Sequence, residues 1–265
     1  MPASNSHPAQ QEFLREKEKS IRLLGGSPAM HELTQTWINR AAEFRYTYLF
    51  SALGRPIIQF PQDMIAVHEL IWEIKPDLVI ETGIAHGGSL IHSAAMLALL
   101  DLCEAIEEKR SLDPAVSARK VLGIDIDIRA HNRAAIEAHP LASRIQMLQG
   151  SSIDATTIEQ VRAIAASYQR VLVMLDSNHT HGHVLGELEA YAPLTSIGSY
   201  CVVFDTVIED MPADFFPNRP WGPGDNPKTA VHAWLPQHPE FVIDKSIEQK
   251  LQITVAPDGY LKRIK

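Results

Sequence analysis

Between Leu78 and Phe204, five short apolar runs alternate with stretches of helical spacing, and this alternation narrows the possible folds more than any other feature of the chain. The runs fall at Leu78–Glu81, Val121–Asp125, Ile145–Leu148, Arg170–Leu175 and Tyr200–Phe204. Helices are predicted at Ser89–Lys109, around Ile128–His139 and Thr156–Ser167, near His183–Tyr191, and again near Thr229–Leu235. Strands separated by helices connect through right-handed crossovers, which gives an α/β fold: a Rossmann-like parallel sheet with helices on both faces. The chain end breaks the pattern. Phe241–Ile247 and Leu251–Val255 lie too close together for a crossover and are predicted to pair as an antiparallel hairpin, with a further turn at Pro257-Asp258-Gly259.

Ahead of this unit, residues 11–70 read as a helical cap. Trp37, Ala41, Phe44 and Tyr48 are helically spaced, Gly54-Arg55-Pro56 is a break, and no strand is expected before Leu78. Residues 1–10 are polar and read as a disordered tail, and residues 71–265 form the main domain. The N-terminus lacks the basic start and apolar core of a secretory signal, and the apolar stretch Ala94–Leu100, interrupted by Asp101, is too short to span a membrane. A net charge of −8 argues against a nucleic-acid partner and favours a small-molecule substrate. Cys103 and Cys201 each lie in an apolar stretch, so a reducing cytoplasm is expected.

Ligands of open parallel sheets bind at the carboxyl ends of the strands. The first run ends in Val79–Ser89 (VIETGIAHGGS), an acid followed by a loop with Gly83, Gly87 and Gly88. Glycines there let backbone approach a nucleotide, and the spacing departs from the dinucleotide pattern G-x-G-x-x-G. The second run ends at Asp125, placed to accept ribose hydroxyls, with Asp127 as its competitor, and the third at Ser151 and Ser152, suited to an adenine edge. The fourth ends at Asp176, followed by His179, His181 and His183, and the fifth at Asp205 and Thr206. Carboxylates on neighbouring strand tips repel unless a cation lies between them, and oxygen-rich open sites suit Mg²⁺ or a similar hard ion such as Mn²⁺ or Ca²⁺. The long loop Val207–Lys228 carries Phe215, Phe216 and Trp221 and reads as a substrate lid.

Taken together, Glu81-Thr82-Gly83 with Gly87-Gly88-Ser89, the stretch Gly123–Arg129, Asp176-Ser-Asn-His179 and Val203-Phe-Asp205 resemble the cephalosporin hydroxylase / rhamnosyl O-methyltransferase family over about residues 37 to 260. The resemblance implies a class I methyltransferase sheet and a metal-dependent enzyme that uses S-adenosylmethionine to methylate a hydroxyl of a sugar or glycosylated natural product. It implies Asp176 and Asp205 as metal ligands and His179 as general base, an imidazole being suited to proton transfer near neutral pH. Phe204 stands where several relatives have an acid; Thr206 is then the expected third ligand, with Glu209 or Asp210 as substitutes from the loop. The donor site would comprise Glu81, Thr82, Gly83, His86, Gly87, Ser89, Asp125, Ile126, Ser151, Ser152 and Asp176. Gln59, His181, Trp221, Asn226 and Lys228 would face the acceptor, and family precedent implies a homo-oligomer. A nicotinamide-dependent oxidoreductase, a non-catalytic relative that keeps the pocket, and an auxiliary protein of β-lactam tailoring are the rival readings.

Overall fold

The computed structural model describes residues 7–265. Two helices come first, α1 (Pro8–Gly25) and α2 (Pro28–Glu43), each opening with proline. His7 and Ser27 accept from the backbone amides of Ala9 and Met30, and so cap the two helices. Residues 1–6 of the expected tail lie outside the described residues, whereas Pro8–Gln10 belong to α1. A short hairpin follows, β1 (Phe50–Ala52) and β2 (Arg55–Ile57), where no strand was expected. Leu53 and Gly54, with φ of 42° and 87°, supply the two left-handed residues of a tight hairpin turn. Helix α3 (Pro61–Ile74) leads into the main sheet.

Five strands and their helices then alternate as predicted: β3 (Leu78–Thr82), α4 (Gly88–Glu108), β4 (Lys120–Asp125), α5 (Ala130–Glu137), β5 (Ile145–Gln149), α6 (Ala155–Ala165), β6 (Val171–Leu175), α7 (His181–Tyr191) and β7 (Tyr200–Val203). The remaining elements are α8 (Pro227–Trp234), β8 (Phe241–Ile243), α9 (Lys245–Leu251) and β9 (Tyr260–Arg263). The seven strands are ordered β5-β4-β3-β6-β7-β9-β8, parallel except for β9, which runs antiparallel to β7 and β8. Every residue of β3, β6 and β7 is buried, as expected of a parallel sheet covered on both faces. Alternate side chains enter two cores: Val79 and Val121 pack with α3 and α4, while Leu78, Ile80 and Leu122 pack with α6, α7 and α8.

The predicted final hairpin is displaced. Strand β8 stops at Ile243, Lys245–Leu251 is helical, and the partner strand is Tyr260–Arg263 rather than Leu251–Val255. Asp244 caps α9 by accepting from the Ser246 amide, and the Leu251–Val255 segment is drawn instead to α3. There the buried Asp63 carboxylate accepts from the Thr254 hydroxyl, from the Val255 amide at 2.9 Å and from the Tyr260 hydroxyl at 2.8 Å. Burial pushes the Asp63 carboxyl up to about 6.

Helix α4 is long and apolar enough by composition to cross a bilayer, more so than its sequence suggests at first reading. Here half of its apolar stretch is buried against the sheet, and Asp101 on it pairs with Arg119 and Arg144.

Asp63→Ala leaves the Val255 amide and the Thr254 and Tyr260 hydroxyls without their acceptor. The substitution is expected to lower stability by about 3 kcal/mol or more in urea unfolding, and a loss below about 1 kcal/mol would show that the α3 anchor is dispensable.

Candidate functional site

The strand order reverses between β3 and β6, and such a switch point opens a crevice at the strand ends. The turn after β3 lies there, with Gly83, Ala85 and Gly87 all left-handed (φ 90°, 45° and 81°). Its glycines serve contacts within the protein. A Cβ on Gly83 would fall 2.1 Å from the Asp176 carbonyl oxygen, and one on Gly88 would fall 2.2 Å from that of Pro56. Asp125 accepts from the amides of Ile84 (2.8 Å), Ala85 (3.2 Å) and Asp127 (3.0 Å), so three of a carboxylate's roughly four acceptor positions are taken. Arg55 donates to the His86 carbonyl and to Asn132, which in turn donates to the Ala85 carbonyl at 2.8 Å. The turn is therefore held from β2, β4 and α5 at once, and Asp125 does more to shape it than its expected ribose role requires.

A cavity of about 640 Å³ opens beside this turn. Gly83, His86 and Ser89 border it at β3, Asp176 and His179 after β6, and Asp205 after β7. Ligand atoms of Asp176, His179 and Asp205 all lie within 4.8 Å of one another, and His179 Nε2 is 3.3 Å from Asp205 Oδ2. Asp205 is left-handed (φ 55°), a conformation that costs energy for a residue with a Cβ and recurs at functional sites. Gln59 donates to Asp176 Oδ2 at 3.2 Å, and the Asp176 amide reaches the Thr82 carbonyl oxygen at 3.0 Å. Burial, then Asp205, then Glu81 hold the Asp176 carboxyl well above the usual carboxylate range.

Glu81 is buried at the tip of β3. Ser89 donates to its Oε1, while its Oε2 has no partner, and burial pushes its carboxyl up to about 8. Gln59 Oε1 is a second buried oxygen without a partner. A convergent Asp–His–Asp set beside unpartnered buried oxygens fits a hard divalent cation and a positively charged donor molecule.

Other expected residues are committed elsewhere. The Thr206 hydroxyl, expected to be the third ligand, is fully buried and donates to the Pro257 carbonyl at 2.6 Å. Glu209 accepts from the Gly224 amide and from Asn226 Nδ2, and Asp210 pairs with Lys228 at 2.6 Å. Asn226 caps α8, and His181 contacts Asp225 and Thr229, so Asn226, Lys228 and His181 pin the loop and are absent from the cavity lining. Gln59 and Trp221 do line it. Ser152 and Ser177 are bonded to His183, and Ser177 also to Glu187; Ile126 is 70% exposed, and Ser151 and Ser152 are absent from the lining. Among the lining residues that were not anticipated are Arg45, Tyr46, Arg129 and Arg219. Arg219, two positions before Trp221 in a proline-rich loop, and Arg129, at the end of the Gly123–Arg129 stretch, carried a readable signal.

The family model for rhamnosyl O-methyltransferase/CmcI matches residues 44–264. The rhamnosyl O-methyltransferase of Mycobacterium tuberculosis is 31% identical over 206 residues, 76% of this chain and 73% of that protein. Its Mycobacterium leprae counterpart is 27% identical over 213 residues, 80% and 82% of the two chains. Among solved structures, a CmcI structure described with Mg and SAM aligns over 82% of this chain and 78% of its own, at 19% identity and a TM-score of 0.51, a likeness of fold.

Adding Mg²⁺ is expected to raise the melting temperature by relieving repulsion between Asp176 and Asp205. Asp176→Asn and Asp205→Asn should each abolish the rise; a rise that survives both substitutions places the cation elsewhere.

In the ligand-free protein Glu81 keeps its proton up to about pH 8, while the unfolded chain loses it near pH 4.5. The native state therefore binds more protons across that window, and this contribution to stability is present below about 4.5 and lost as pH rises to about 8. Relative to Glu81→Gln, the wild type should lose stability over that range at up to about 1.4 kcal/mol per unit in urea titrations. Parallel curves would contradict the assignment.

Proposed function

The chain belongs to the rhamnosyl O-methyltransferase/CmcI family, and from that premise we propose that it transfers a methyl group from S-adenosylmethionine to a hydroxyl of a sugar or glycosylated small molecule. The observation that carries the reading is the convergence of Asp176, His179 and Asp205 at the mouth of the glycine turn. A nicotinamide-dependent oxidoreductase finds no support in the family.

When bound, S-adenosylmethionine supplies an electrophilic methyl group and Mg²⁺ supplies Lewis acidity toward the acceptor hydroxyl. Gly83, His86 and Ser89, which line the cavity, and the buried Glu81 would border the donor, whose positive charge would give the Glu81 Oε2 a partner. Asp176 and Asp205 would hold the cation. Gln59 and the Thr82 carbonyl orient Asp176 by hydrogen bonds, so its position does not depend on the ligand. His179 takes the hydroxyl proton at Nε2, and Asp205, 3.3 Å from that nitrogen, stabilises the imidazolium that forms. Trp221 meets the His179 ring edge-on at 4.7 Å and limits its rotation. Phe215 and Phe216 supply an apolar wall against which the acceptor packs and from which water is excluded.

The reading extends to a cytoplasmic enzyme, supported by the free thiols Cys103 and Cys201, and to a homo-oligomer, supported by exposed Phe13, Leu23 and Leu33 on α1 and α2.

His179 also lies within reach of the cation as a ligand, and one variant separates the two roles. His179→Ala is expected to lower turnover by about 10²-fold or more while keeping the Mg²⁺-induced rise in melting temperature and the affinity for S-adenosylmethionine. Loss of the Mg²⁺ response would make His179 a ligand instead of the base. Screening for a one-methylene mass gain across rhamnosides, other deoxy sugars and catechols tests the acceptor class, and an unchanged rate in EDTA would remove the metal from the mechanism.

A further inference from the structure

Three buried polar atoms without a hydrogen-bond partner among the described residues belong to side chains that line one small chamber: Gln59 Oε1, Glu81 Oε2 and Ser93 Oγ. These residues are 6%, 2% and 1% exposed. The fold explains how they meet. Val79 enters the core between the sheet and helices α3 and α4, and the period of two along β3 puts Glu81 on the same face. On α4, Ser89, Ser93, Leu97 and Leu100 recur at helical spacing, so the face turned to the sheet is polar in its first turns and apolar afterwards. Gln59 closes the chamber from the segment between β2 and α3.

The chamber has a volume of about 20 Å³. A single water molecule needs roughly 10–15 Å³, whereas a larger ligand does not fit. Gln59, Ser89 and Asp176 line both this chamber and the main cavity, so the chamber lies behind the wall that carries Asp176.

The bonding capacities of the three atoms match one water. Gln59 Oε1 only accepts, because the nitrogen of the same amide already donates to Asp176 at 3.2 Å. Glu81 Oε2 accepts when ionised, and the Ser93 hydroxyl has one proton to give. A water that donates to the first two and accepts from the third satisfies all of them with three bonds, the usual number for a buried water.

We infer that the chamber holds one water molecule bridging Gln59 Oε1, Glu81 Oε2 and Ser93 Oγ, and that Ser93 is a positioning residue that acts through this water on the Gln59 amide and so on Asp176. The water stands on the chamber alone, and its consequence for Asp176 rests on the cation reading of the site. The bridge forms a continuous path from the acid of the glycine turn to a cation ligand: Glu81, water, Gln59, Asp176. It takes one acceptor position of Glu81 Oε2 and leaves another for a cationic donor.

Two measurements test the inference. A high-resolution crystal structure of the unliganded protein is expected to show a water oxygen about 2.7–3.2 Å from all three atoms. Empty density overturns the water, as does a protonated Glu81 bonded directly to Gln59 Oε1. Contacts of about 2.4 Å to all three oxygens, the mark of a metal ion, overturn it as well. The positioning role is read by calorimetric titration of Mg²⁺ into the wild type, Ser93→Ala, Gln59→Met and the double variant, each checked for folding by its melting temperature. Mg²⁺ binding is expected to weaken about threefold in Ser93→Ala and about tenfold in Gln59→Met, with the double variant no weaker than Gln59→Met because Ser93 acts only through that amide. Additive losses, or no loss in Ser93→Ala, overturn the positioning role. A wild type that binds no Mg²⁺ removes the cation reading and the role of Ser93 together, and the density alone then decides the water.

Discussion

The sheet brings three carboxylates, Glu81, Asp176 and Asp205, to the ends of the adjacent strands β3, β6 and β7, and the surrounding structure is organised around that crowding. Buried like charges raise one another's affinity for protons, and the Asp176 carboxyl is held up by burial first and by Asp205 and Glu81 next. Apolar packing alone would leave such a site unfavourable. Positive charge would make it favourable, and the groups that would receive it are Asp176 and Asp205 for a divalent ion and Glu81 for a cationic donor. The site thus stores in the empty protein the electrostatic deficit that its ligands remove, and the same deficit selects ligands by charge.

Holding carboxylates at that separation requires a rigid backbone. The β3 turn approaches the end of β6 so closely that only glycine fits at position 83, and Asp125, Arg55 and Asn132 tie down its amides and carbonyls. On the other side, the loop after β7 is as fully bonded. Asn226 caps α8 while reaching Glu209 and the Gly222 carbonyl, and Lys228 pairs with Asp210. A loop so pinned keeps Trp221 against His179 as a standing wall, and little ordering entropy remains to oppose acceptor binding.

The alternation from Leu78 to Phe204 was legible largely because β3, β6 and β7 are buried on both faces and so are written as continuous apolar runs, while β5, at the sheet edge, keeps the weaker signal of its Ile145, Met147 and Leu148. The strand ends carrying Glu81, Asp176 and Asp205 followed from the same rule. What could not be read depends on contacts distant in sequence. The last strand pair was misplaced because Asp63, nearly two hundred residues upstream, holds Thr254 and Val255 out of the sheet. Thr206, Asn226 and Lys228 carry side chains suited to ligands, and only the fold reveals that Pro257, the α8 terminus and Asp210 claim them first. Arg45 left no trace at all, since the helical spacing from Trp37 to Tyr48 runs through it, whereas α2 ends at Glu43 and a left-handed turn at Arg45 places it in the cavity lining.

The segments before the sheet are part of the site's construction, and the direction of dependence can be traced. Arg55 on β2 fixes the His86 carbonyl, Gln59 orients Asp176, and Asp63 on α3 anchors the chain that carries β9 beside β7. Trp37, Tyr46, Phe50 and Phe60 pack as one aromatic cluster that joins α2 to the hairpin and α3, and Gly88 at the start of α4 meets the Pro56 carbonyl of that hairpin. The glycine turn and Asp176 therefore share one N-terminal support. Tyr46 meets the ring of Phe50 on the hairpin, and Arg55 of the same hairpin holds the His86 carbonyl, so the packing around Tyr46 and the backbone of the glycine turn are joined by direct contacts.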